Sequence, residues 1–284
     1  MPPGQQGEPG SDAEPRPARA GRNLPAALAV GAGLGALALL TLFTVKVTFL
    51  VVVGVAILLS LWELTRALQA RDIHLPLVPV AAGGTAMIAL AYWRGERPLV
   101  AALALTVIAV MSWRLPGQAA GYLRDVTAGL FALAYLPLMA SFVGLMLAPP
   151  DGPRRALVFL VLAVCSDIGG YAAGVLLGRH LMVPMISPKK TWEGSAGSAL
   201  ACVVAGAIML PTLLHAAVWQ GVLLGLAAVT AAILGDLSES MIKRDLKIKD
   251  MGSLLPGHGG ALDRIDSMLI SAPVVWLLLV IFAR

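Results

Sequence analysis

Between Asp236 and Asp266 the chain places six acids, five bases and one histidine in 31 positions, although only 13% of all its residues are charged. Asp236, Glu239, Ser240 and Lys243 stand at i, i+3, i+4 and i+7, so on a helix they share one face. Arg244 follows directly. The stretch continues through Asp250 and a turn, Pro256-Gly257-His258-Gly259-Gly260, to Asp263, Arg264 and Asp266, where the two acids are again three apart. Acids flanked by cations can be simple ion pairs. Carboxylates converging from two helix ends can also hold Mg²⁺, which takes hard oxygen ligands: one or two protein carboxylates, with phosphate and water supplying the rest. His258 is the weaker metal candidate, because a lone histidine between glycines with no cysteine nearby does not make a zinc site.

Two further groups could join this chemistry. Ser187, Lys189, Lys190 and Thr191, in the run Ile186-Ser-Pro-Lys-Lys-Thr-Trp-Glu-Gly194, concentrate hydroxyls and cations in a short turn. Such a loop suits a polyphosphate, with lysine as point charge and hydroxyls as donors. The same composition also suits a loop resting on anionic headgroups. It is not a P-loop, since no GxxxxGK[ST] pattern occurs in the sequence. Asp167 lies midway along an apolar run, where a charge is costly and marks function by default; the plainer alternative is an interhelical hydrogen bond. Gly170, Gly174 and Gly178 follow at i+4 spacing, a smooth face that lets another helix approach closely.

The elements that must position these groups are membrane spans. The 284 residues are 58% hydrophobic, with a mean hydropathy of +0.83, whereas a soluble domain is about half apolar and a quarter charged. A spanning helix needs about 20 apolar residues. Apolar segments run at 24–44, 47–66, 75–93, 98–113, 126–148, 155–178, 195–214, 217–239 and 267–283. The expected fold is therefore all-α: a polytopic integral membrane protein of about nine transmembrane helices with cytoplasmic catalytic loops. Residues 1–22, rich in Pro, Gly and charge, read as a disordered tail. Residues 23–284 read as one transmembrane domain whose half from 155 to 284 forms the site. The first apolar run is too long for a cleavable signal peptide and reads as an anchor.

With the N-terminus cytoplasmic, fifteen Lys and Arg fall on the inner side and six on the outer, the asymmetry of the positive-inside rule. The loops at 179–194 and 240–266 then share the cytoplasmic side and can meet. The net charge of +5 is spread over short loops and points to an anionic membrane surface rather than to nucleic acid. Cys165 and Cys202 both fall in apolar runs and read as packing residues, not as a disulfide or metal framework.

With these residues in view, the sequence resembles the phosphatidate cytidylyltransferases (CDP-diacylglycerol synthases). The resemblance is carried by Ser240, Lys243-Arg244, Lys249-Asp250, Gly252, Leu255-Pro256-Gly257-His258-Gly259-Gly260 and Asp263-Arg264-Ile265-Asp266, and upstream by Ser166-Asp167-Ile168-Gly169-Gly170-Tyr171 and the run from Ile186 to Gly194. It covers about 166–267 in detail and the remainder as hydropathy. Ala261 replaces a bulkier apolar residue, and Lys247 stands where many members have glycine.

The resemblance implies transfer of CMP from CTP to phosphatidic acid, giving CDP-diacylglycerol and pyrophosphate at an inner, cell-membrane location, in a homodimer. The lipid phosphate is already anionic near neutral pH, with a second pKa of roughly 6, so the task is to position and neutralise two polyanions. On this reading Asp236 and Asp263 hold Mg²⁺, with Asp167, Glu239, Asp250 and Asp266 as support or as ligands of a second cation. Ser187, Lys189, Lys190, Thr191 and Ser240 bind triphosphate or lipid phosphate. Lys243, Arg244 and Arg264 neutralise the transferring or leaving groups, and His258 shapes its loop and donates hydrogen bonds. The alternatives are a CTP-dependent kinase of a lipid alcohol and, from a different class, a membrane transporter.

Overall fold

Apolar runs of membrane length leave the backbone one economical solution, the helix, because it satisfies every peptide group within its own segment. The computed structural model describes residues 24–117, 119–252 and 259–283. Each of the nine expected apolar segments corresponds to a helix among them. These are α1 (Leu24–Thr44), α2 (Lys46–Gln69), α3 (Leu77–Arg94), α4 (Glu96–Trp113), α5 (Tyr122–Leu147), α6 (Gly152–Leu177), α7 (Trp192–Leu214), α8 (Val218–Asp245) and α9 (Leu262–Phe282). Eight of them, α2 to α9, are long and apolar enough to cross a membrane. The tail expected at 1–22 lies outside the described residues.

The breaks between helices have local causes. Gly95, at φ +80°, turns the chain sharply between α3 and α4. Pro153 sits in the first turn of α6, where its missing N–H costs nothing. The split between α1 and α2 falls at Val45, and Lys46 makes it purposeful: its ammonium donates to the carbonyls of Leu147, Pro149 (2.5 Å) and Pro150, which end α5. Within α5 the chain takes a π turn at Ala134–Leu138, around Pro137, the usual response to a residue that cannot donate a backbone hydrogen bond.

Four helices build the frame of the site, each packed on the next: α6 on α7, α7 on α8, and α8 on α9. Glycine makes these contacts close. A Cβ at Gly169 would stand 2.7 Å from the Gly197 carbonyl, and one at Gly170 would stand 2.5 Å from the Ser198 hydroxyl. The smooth face expected on α6 therefore receives α7. Gly235 does the same for α8 and α9, since a Cβ there would stand 2.6 Å from the Asp266 carbonyl.

Two helices run past their apolar segments. α8 continues to Asp245 and α9 begins at Leu262, so the charged stretch is helical at both ends. The loop after α6 is also more ordered than its sequence suggests. It forms an antiparallel hairpin of β1 (Leu181–Val183) and β2 (Ser187–Thr191), with Leu181 opposite Thr191 and Val183 opposite Ser187.

Candidate active site

The hairpin reaches the site because both its ends are fixed. The Thr191 hydroxyl accepts the Gly194 N–H at 3.1 Å and so caps α7. Glu193, in the first turn of α7, accepts the N–H groups of Arg179 and His180 and pairs with the His180 ring at 2.5 Å. On its other side the Arg244 Nε donates to the Ile186 carbonyl at 3.3 Å, tying the hairpin to α8. Lys190 then extends to α8, where its ammonium meets Asp236 at 2.5 Å and the Ile233 carbonyl at 3.4 Å.

Between hairpin, α6, α8 and the start of α9 lies a cavity of about 500 Å³. From α6 it is lined by Ser166, Asp167, Gly170, Tyr171 and Gly174; from β2 by Ser187, Lys189, Lys190 and Thr191; from α8 by Asp236; and from α9 by Asp263, Arg264, Asp266 and Ser267. Ser198 of α7 donates to the Ser166 carbonyl at 2.6 Å and fixes the α6 wall. The two polar stretches, far apart in sequence, thus face one volume. A lining that mixes Lys189, Lys190 and Arg264 with carboxylates suits a ligand that is itself a polyanion accompanied by a cation.

The carboxylates sort into two groups. Asp236, Glu239 and Asp266 each present an oxygen within 4.8 Å of the others. Glu239 is fully buried and Asp266 is 9% exposed. Lys243, one turn on from Glu239, pairs with it and with Asp263 at 3.0 Å. The Glu239 Oε1 is buried without a hydrogen-bond partner among the described residues, a costly state for a carboxylate. As a donor set this trio fits a hard divalent cation, whose ligands are oxygens of this kind. Asp263 is different. Its oxygens accept the N–H of Gly260 at 2.8 Å and of Met251 at 3.1 Å, besides the Lys243 ammonium.

Of the residues singled out from sequence, Asp167, Ser187, Lys189, Lys190, Thr191, Asp236, Asp263, Arg264 and Asp266 line the cavity. Glu239, Lys243 and Arg244 connect to that group through the contacts above. Ser240 is half-buried on α8, and Asp250 is exposed beside Gly259; neither lines the cavity. His258 lies outside the described residues. Tyr171, Ser166 and Ser198 join the site without having been singled out for it. Glu63 of α2, 2% exposed, accepts the Leu262 N–H at 3.0 Å. Its signal was available: a lone acid in an apolar span, the same argument that flags Asp167.

A bundle of membrane-length helices with acids and bases gathered around one polar cavity defines a membrane protein with a candidate site for a charged ligand. Comparison of the sequence with known proteins makes the class specific. Residues 26–282 match the Cytidylyltransferase family, and the chain belongs to that family. It is 41% identical over 278 residues to a phosphatidate cytidylyltransferase of Mycobacterium leprae, an alignment covering 92% of this chain and 89% of that protein. It is 39% identical over 292 residues to the proteins of the same name from Mycobacterium bovis and Mycobacterium tuberculosis, covering 96% of this chain and 94% and 88% of theirs.

Proposed function

We propose that the protein transfers the CMP moiety of CTP to phosphatidic acid, releasing pyrophosphate and forming CDP-diacylglycerol. The observation that carries the reading is one cavity lined together by Lys189 and Lys190 of β2, Arg264 of α9 and the acids of α8 and α9, in a chain that aligns nearly end to end with phosphatidate cytidylyltransferases. An oxygen of the lipid phosphate attacks the α-phosphorus of CTP. The bond between that phosphorus and the oxygen bridging to the β-phosphate breaks, and pyrophosphate leaves. No strong base is required, because the attacking oxygen is already charged.

Lys189, Lys190 and the hydroxyls of Ser187 and Thr191 hold the triphosphate, and Arg264 neutralises the transferring or leaving group. Asp236, Glu239 and Asp266 would hold Mg²⁺, which when bound supplies charge neutralisation to phosphate oxygens. Asp236 and Asp263 are the pair expected from sequence. Because the Asp263 oxygens are engaged by Lys243 and two backbone N–H groups, we assign Asp263 to holding the backbone at Met251 and Gly260, and the cation to the trio. Lys243 balances the charge of both groups. Asp167 supports the site from α6.

The proposal places the cavity on the cytoplasmic side of the cell membrane, supported by the distribution of Lys and Arg, and the protein in a homodimer, supported by the resemblance alone. The deciding assay supplies purified protein with Mg²⁺, phosphatidic acid and CTP labelled at either the α or the γ position. α-Label entering lipid, with pyrophosphate released, is the expected result. γ-Label entering lipid would replace this reading with a lipid-alcohol kinase.

A further inference from the structure

The half of the chain before α6 contributes none of the motifs that carry the resemblance, yet α2 sends one carboxylate to the start of α9. Glu63 lies 199 positions before Leu262, whose N–H it accepts at 3.0 Å through Oε2. Leu262 opens the helix that carries Asp263, Arg264 and Asp266. A carboxylate at a helix N-terminus also meets the positive end of the helix dipole. The glycines nearby are shaped around this side chain. A Cβ at Gly260 would stand 2.5 Å from Glu63 Oε2, and one at Gly252 would run into Oε1 and stand 2.5 Å from the carboxyl carbon. From the opposite direction Asp263 accepts the N–H groups of Met251 and Gly260. Residues 251–252 and 259–262 are therefore held between two carboxylates, one from each half of the molecule.

We infer that Glu63 is a positioning residue for the reaction: by accepting the Leu262 N–H in the space that Gly252 and Gly260 leave, it sets where α9 begins and so where Asp263 and Asp266 stand in the cavity. It touches no substrate and acts through the backbone. A burial role alone would be met by any apolar side chain of similar size. The hydrogen bond to the first turn of the site-bearing helix is the part that only an acceptor can supply. The inference rests on the cytidylyltransferase reading for its assay, and on the fold alone for its geometry.

The test compares the wild type with Glu63→Gln, Glu63→Ala and Gly252→Ala. Glutamine keeps a carbonyl acceptor at the same reach, so Glu63→Gln should retain kcat within about threefold. Glu63→Ala should lose about tenfold or more in kcat, since misplacing reacting groups by about 1 Å costs on the order of 10²-fold, while KM for CTP, set by Lys189 and Lys190, stays within about threefold. Gly252→Ala, which presses on the carboxylate without removing it, should resemble Glu63→Ala. Independently of turnover, the rise in thermal midpoint on adding Mg²⁺ alone should be reduced in Glu63→Ala and kept in Glu63→Gln. A wild-type kcat and Mg²⁺ response in Glu63→Ala would overturn the inference. So would a Gln variant as impaired as the Ala variant, because the acceptor would then not be what matters. If Glu63→Ala does not fold, full activity in Gly252→Ala decides against it. Should the wild type release no pyrophosphate from CTP, the activity reading falls, and the Mg²⁺ comparison still decides the role of Glu63.

Discussion

Asp263 and Asp266 stand one helical turn apart and make different contacts. Asp266 turns toward Asp236 and Glu239, within 4.8 Å of both. Asp263 spends its oxygens on two backbone N–H groups and on Lys243. Their replacements should therefore fail in different ways. If the trio holds Mg²⁺ as proposed, Asp236→Asn removes one of its oxygen ligands, so its lost turnover, about 10²-fold at ordinary Mg²⁺ by comparison with other lost electrostatic stabilisers, should be partly recovered as Mg²⁺ is raised. Asp263→Asn should lose activity by a similar factor that added Mg²⁺ does not restore. Titrating Mg²⁺ in the pyrophosphate-release assay separates the two; identical Mg²⁺ dependence in both variants would return Asp263 to the ligand set.

At the scale of elements, what places these side chains is the closeness of four helices. Gly197 of α7 faces the Gly169 carbonyl of α6, and a Cβ there would stand 2.6 Å from it. Gly197→Ala must push the two helices apart, at a cost of about 1–3 kcal/mol. It should lower the thermal midpoint and activity together. Gly33→Ala on α1, where nothing lies within 4 Å of the added carbon, should change neither by more than about 0.5 kcal/mol. Lys247, just past the end of α8, offers the opposite case. It takes φ +51°, the left-handed conformation that glycine adopts at little cost after a helix. Lys247→Gly should raise stability by about 1 kcal/mol, read as a higher thermal midpoint, with turnover within about twofold because the side chain is exposed and does not line the cavity. A large fall in turnover would give Lys247 a part in phosphate binding instead.

Across the whole molecule the two halves are joined at the end that carries the site. Arg71, following α2, donates from Nε and Nη2 to the Leu246 carbonyl at the end of α8, and Glu63 meets α9 close by. Asp125, 1% exposed, accepts the His74 N–H and pairs with Arg114 at 2.7 Å, tying together the loops on either side of α3 and α4. The opposite end holds the Lys46 contacts and Arg154. This division predicts an orientation. In a background with Cys165 and Cys202 replaced by Ala, Met185→Cys at the tip of the hairpin should react with a membrane-impermeant thiol reagent only after spheroplasts are opened. Arg154→Cys should react in intact ones. The reverse pattern would put the cavity outside and remove the access to cytosolic CTP that the proposed activity needs.

Much of this was legible in the residues themselves. Some 20 apolar residues make a spanning helix wherever they occur, so the nine segments and the two polar stretches could be placed without knowing their neighbours. The i+3 spacing of Asp263 and Asp266 fixed a shared helical face, and the run from Ser240 to Asp266 carried the family. Only the tertiary structure decided which way each face turns. It chose Glu239 and Asp266 as the neighbours of Asp236, set Asp263 to bind backbone, made a hairpin of 181–191, and brought Glu63 to a helix 199 positions away. The reason is range: helical periodicity and hydropathy are properties of a window of residues, whereas the meeting of two carboxylates depends on how helices distant in sequence rotate and pack against one another.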